Sequence, residues 1–118
     1  KLLLIDEAAV IQQLHAYLQT MDFPNTAFYL SKDNYLEVTH KEVSKEQALL
    51  EVAKHYQIPL EQVMTIGDNF NDLPMLRLAG LGVAMGNAPE AVKLEATAIT
   101  KSNNQNGVAK AIEKYVLL

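Results

Sequence analysis

The sequence predicts an α/β fold built from two unlike parts, and three observations predict it. Up to about residue 40, apolar runs and one amphipathic stretch follow the order strand, helix, strand, strand, with a polar turn inside the last pair. Beyond residue 44, continuously apolar runs and helical periodicities alternate three times, the pattern of a parallel sheet covered on both faces. The first of those runs is stopped by Gly67-Asp68, at the strand end where open parallel sheets bind ligands.

Leu2–Ile5 is a short apolar run suited to a strand, and Asp6 behind it could cap a helix. Val10, Ile11, Leu14, Tyr17, Leu18 and Met21 then recur on one helical face until Phe23-Pro24-Asn25 breaks it. Ala27–Leu30 and Tyr35–Thr39, around the turn Ser31-Lys32-Asp33-Asn34, read as an antiparallel hairpin.

Ser44 and Gln47 have capping-box spacing, and Ala48, Leu49, Val52, Ala53 and Tyr56 trace the face of the helix they would start. Ile58-Pro59 ends it, and Val63–Ile66 is the first strand of the second part. A helix from about Asn71 to Ala79 follows, with Pro74 in its first turn, where the missing N–H is no loss, and Gly80 where a C′ residue belongs. Leu81–Met85 is the next strand, Asn87 and Glu90 have capping-box spacing, and their helix runs to about Ala96. Ala98–Thr100, a loop over Ser102–Gly107 and a helix over Val108–Tyr115 complete the chain.

Composition narrows the function classes. The 118 residues carry 14 acidic against 10 basic side chains, a formal charge of −4, which argues against a nucleic-acid partner. With 49% hydrophobic and 20% charged residues the chain can bury a core. No apolar run approaches the ~20 residues that cross a bilayer, so no membrane partner is expected. The absence of cysteine excludes disulfides, thiolate metal sites and cysteine nucleophiles.

The chemistry concentrates in Gly67-Asp68-Asn69-Phe70-Asn71-Asp72. Asp68, Asn71 and Asp72 are spaced to converge on one mouth, and two carboxylates with an amide suit a hard cation such as Mg²⁺ that shares its site with phosphate. The rival reading is structural: Asp68 or Asn71 caps the helix and Asp72 complements its dipole. An EF-hand loop fails, because Phe70 and Leu73 stand where an oxygen ligand and a glycine are required. Gly80–Gly86 follows a helix and contains a strand, so it is not a dinucleotide fingerprint. Lys45 breaks a local rule, being a cation in a helix's first turn, and is therefore a candidate phosphate-binding residue as well as a candidate solvated surface lysine. His15, His40 and His55 lack metal-ligand spacing, and no serine, histidine and acid assemble into a triad.

Gly67–Asp72 resembles the GDxxND signature of the haloacid dehalogenase-like (HAD) hydrolases. Val43-Ser44-Lys45 upstream and Ala79-Gly80-Leu81-Gly82-Val83-Ala84-Met85-Gly86-Asn87-Ala88 downstream narrow the likeness to the Cof-type sugar-phosphate phosphatase branch. The resemblance implies that residues 1–40 are the β-α-β-β end of an α/β cap domain and residues 41–118 the C-terminal half of a Rossmann-like core. It implies a cytoplasmic, Mg²⁺-dependent phosphatase of small phosphorylated substrates that works through a phospho-aspartyl intermediate. By the same resemblance Asp68 is the metal-ligating acid and Asp72 an acid of the metal site. Asn71 is then the amide near the phosphate, and Lys45 a catalytic lysine that balances charge on nucleophile and phosphate.

Two departures stand out. Glu46 follows the lysine where most relatives have glycine, and the chain has no Asp-x-Asp pair to supply the nucleophile. Asp6-Glu7 lacks the second aspartate and is not assigned that role. With the methionine-free start at Lys1, this leads to the expectation of a C-terminal portion cut within the cap, inactive alone and a poor Mg²⁺ binder. A bare sheet edge would then favour self-association. The alternative is a non-catalytic α/β binding module.

Overall fold

A computed structural model describes residues 1–117 and divides the chain into two compact units, Lys1–Ser44 and Lys45 onward. The division falls a few residues beyond the expected 40/41 boundary. Lys41 N–H bonds the Asn25 carbonyl at 3.1 Å and Val43 N–H the His40 carbonyl at 2.9 Å, so the connecting turn stays with the hairpin.

In the first unit, β1 (Leu2–Ile5), α1 (Ala8–Gln19), β2 (Thr26–Lys32) and β3 (Tyr35–His40) form an antiparallel sheet of order β1-β3-β2 with α1 packed on β2 and β3. The turn is tighter than expected. Strand β2 extends through Lys32 by a register shift between Leu30 and Lys32, leaving Asp33-Asn34 as the bend. Asp6 does not cap α1: its carboxylate accepts from the neighbouring Glu7 N–H at 2.7 Å, and Glu7 is the residue at the cap. Ile11 and Leu36 are buried, whereas Val10, Tyr17 and Met21 of the anticipated helical face are exposed.

The second unit is a parallel sheet of order β4-β5-β6, made by β4 (Met64–Gly67), β5 (Leu81–Ala84) and β6 (Ala98–Ile99), with α2 (Lys45–Tyr56), α3 (Leu73–Leu78), α4 (Glu90–Glu95) and α5 (Gly107–Tyr115) around it. Burial follows position. Central β5 has Val83 and Ala84 fully buried, while β4 alternates half-buried and buried residues as its side chains point to opposite faces of the sheet. Leu76, Ala84, Ala88 and Val92 form the core, where α3 and α4 meet β5. Helix α2 keeps Val52 and Tyr56 exposed and buries only Ala53, because its packing is against α3 and the turn before it.

Gly80 stands at the expected C′ position, one residue past the Ala79 cap, but not in the left-handed conformation common there. No glycine among the described residues has positive φ, and α3 ends in extended Ala79. A Cβ on Gly80 would lie 2.3 Å from the Glu61 carbonyl oxygen, and Gly80 N–H bonds the Leu60 carbonyl at 2.8 Å. Close backbone approach, not turn conformation, requires glycine there.

Candidate functional site

The site grows from the end of β4. In place of a helix beginning near Asn71, a 3₁₀ turn at Phe70–Asp72 leads into α3, with Pro74 in the helix's first turn as expected. The cap is Asn69, not Asp68 or Asn71. Its side-chain oxygen accepts from Phe70 N–H at 2.8 Å, and a reciprocal capping box joins it to Asp72, whose carboxylate accepts Asn69 N–H at 3.0 Å.

Asp72 is 2% exposed, and its two carboxylate oxygens are engaged differently. Oδ2 accepts the backbone N–H groups of Asp68, at 2.8 Å, and Asn69. Oδ1 accepts from Lys45 Nζ, whose side chain remains 53% exposed. A buried carboxylate is tolerable only with such compensation, and one lysine with two main-chain donors supplies it. The lysine's place in the first turn of α2, costly on dipole grounds, is explained by this partner.

Gly67 makes the arrangement possible. A Cβ there would sit 2.5 Å from Asp72 Cβ and 2.9 Å from its Oδ2, so only a bare backbone lets the carboxylate lie beneath the loop.

Asp68 has the opposite environment. Its side chain is exposed beyond the strand end, and its Oδ2 accepts from Asn87 Nδ2 at 3.3 Å. Asn71 is also exposed, on the 3₁₀ turn. The structure thus joins Lys45 to Asp72 through side chains and Asp68 to Asp72 through the main chain, and leaves one acid buried and the other open. Among the described residues no group of three or more His, Asp or Glu side chains is placed to hold a metal ion. Among the described residues no helix is long and apolar enough to cross a membrane.

Asn87 is the residue that sequence reasoning misplaced. Its spacing to Glu90 suggests a capping box, but α4 is preceded by Pro89 and has no side-chain cap. Asn87 instead bridges Asp68 and the N–H of Asn103, the latter at 2.9 Å. No local pattern announces a pairing across 19 residues.

The family described as haloacid dehalogenase-like hydrolase matches residues 1–112. A "Putative phosphatase" of Haemophilus influenzae is 40% identical over 114 residues, which cover 97% of this chain and 43% of that protein. The crystal structure of a haloacid dehalogenase-like hydrolase from Bacteroides thetaiotaomicron superimposes with TM-score 0.82 at 35% identity, covering 95% of this chain and 42% of the other. A structure described as a HAD subclass IIB sugar phosphatase gives TM-score 0.71 at 35% identity, covering 80% of this chain and 36% of the other. The chain therefore spans less than half the length of these relatives.

Proposed function

The chain belongs to the haloacid dehalogenase-like hydrolases, and from that premise we propose that it forms part of a Cof-type, Mg²⁺-dependent phosphatase acting on small phosphate monoesters such as sugar phosphates. The observation that carries this reading is the division of labour between the two acids. Asp72 is spent on Lys45 and the loop N–H groups, which leaves Asp68 exposed as the oxygen donor at the strand end.

Asp68 fits a hard cation as one carboxylate ligand, and Mg²⁺ characteristically takes one or two carboxylates and completes its shell with water and substrate phosphate. Bound there, the ion would supply charge stabilisation to a phosphoryl oxygen. Asp72 would support the metal site from behind, holding the Asp68 backbone and fixing Lys45. The ammonium of Lys45, half exposed while anchored, would place positive charge where phosphate charge develops in transfer. Asn71, exposed on the same turn, would offer an amide to the phosphate.

The nucleophile is not in this sequence, which has no Asp-x-Asp pair. The reading therefore assigns turnover to a longer polypeptide carrying these residues as its C-terminal portion, in keeping with the share of the relatives that the chain covers. The test is an assay of the 118-residue chain with a generic aryl phosphate and Mg²⁺. No turnover is expected. Turnover abolished by Asp68→Ala would show that the chain holds a complete site and would overturn this assignment.

A further inference from the structure

We propose that Asn87 is a positioning residue: it holds the Asp68 carboxylate in one orientation and couples it to the turn that follows β6. The inference rests on the reading of Asp68 as the site's working acid. Asn87 leaves the end of β5 with its side chain spanning two loops. Nδ2 donates to Asp68 Oδ2 at 3.3 Å, and Oδ1 accepts from Asn103 N–H at 2.9 Å. An ionised carboxylate only accepts and a backbone N–H only donates, so the two partners allow a single amide orientation.

The three segments joined are those at the carboxyl ends of β4, β5 and β6, the end of the sheet where ligands bind. Both anchors are fixed. Gly86 N–H bonds the Lys101 carbonyl at 3.1 Å, and a Cβ on Gly86 would lie 2.8 Å from Ser102 N, so the exit of β5 is pressed against residues 101–102. Asn103 opens the 3₁₀ turn Asn103–Gln105, closed by Gln105 N–H to the Ser102 carbonyl at 3.0 Å. At the other end, Asp72 holds the Asp68 main chain by its N–H. With the backbone held from one side and the side chain from the other, Asp68 need not search rotamers when a ligand arrives. Partners of this kind behind a ligating carboxylate are worth about 10–100-fold in metal affinity.

Because Asn87 and Asp68 are both exposed, the bridge contributes little to stability and its removal leaves the fold intact. That makes a double-mutant cycle in the 118-residue chain feasible, read from backbone amide resonances. Asp68→Ala should shift the Asn103 amide when Asn87 is present and leave it unmoved in an Asn87→Ala background. Asn87→Asp keeps the acceptor, so the Asn103 N–H should stay protected from exchange, whereas Asn87→Ala should lose that protection. An Asn103 amide that responds to Asp68→Ala equally in both backgrounds, or in neither, would overturn the proposal. A Mg²⁺ titration of the longer polypeptide that carries this chain addresses the underlying reading separately: if the amides of residues 68 and 69 do not respond there while the cycle holds in the 118-residue chain, the metal assignment falls and the positioning role stands.

Discussion

Lys45 Nζ donates to Asp72 Oδ1, tying the first residue of α2 to the last residue of the turn that carries the Gly67–Asp72 segment, across 27 positions of sequence. This pair turns two isolated candidates into one device. The acid is buried and the lysine half exposed, so the pair fixes the loop from within while leaving an ammonium at its surface. Removing the lysine would leave Asp72 its two main-chain donors, whereas removing the acid would take this acceptor from both N–H groups and from the lysine.

Asp72→Ala is accordingly expected to destabilise the chain by about 1–3 kcal/mol, the range for leaving hydrogen-bonded donors without their acceptor, since the lysine left behind is half exposed and can hydrate. Asp72→Asn keeps the shape and one acceptor, and should cost less. Urea unfolding followed by circular dichroism would measure both; wild-type midpoints for Asp72→Ala would contradict the structural role.

Gly67→Ala places a methyl group 2.5 Å from Asp72 Cβ. Atoms cannot share that space, so the loop or the Asp72 side chain must shift, at about 1–3 kcal/mol on the scale of overpacked sites. The substitution should also disturb the amide resonances of residues 68 and 69, because both donate to the displaced carboxylate. Thermal unfolding with an amide spectrum reads both effects, and an unchanged melting temperature would count against the close packing described.

Strand β4 pairs only with β5 among the described residues, so its other edge offers unpaired main-chain donors and acceptors. Such edges recruit another strand. Light scattering of the isolated chain at high concentration should give a mass above that of a monomer, and a clean monomer throughout would exclude pairing through this edge.

The alternation of elements was legible because each obeys a local rule. Leu81–Met85 is apolar throughout as a central parallel strand must be, and Pro74 sits where only a first helical turn accepts it. Misreadings came where a residue's reason lies far away in sequence. Gly80 does follow the end of a helix, but what requires glycine there is the Glu61 backbone, and Asn87 reads as a cap but answers to Asp68 and Asn103. The exposed faces of α1 and α2 have a related cause, since periodicity reports which residues share a face and not what covers it. Within the site, spacing grouped Asp68 with Asp72 but could not separate them. Burial does, and burial depends on Gly67 and Lys45 together.

That separation is the centre of the account: Asp72 builds the loop and Asp68 works at its surface. It is tested most directly by Asp68→Ala in the longer polypeptide that carries this chain, assayed for Mg²⁺-dependent phosphate monoester hydrolysis alongside its melting temperature. The predicted result is a melting temperature within about 1 °C of wild type, as for a surface substitution outside any packed contact, with kcat reduced by at least about 100-fold, the scale of losing one charge-stabilising group. Retention of wild-type kcat by a folded Asp68→Ala protein would contradict it.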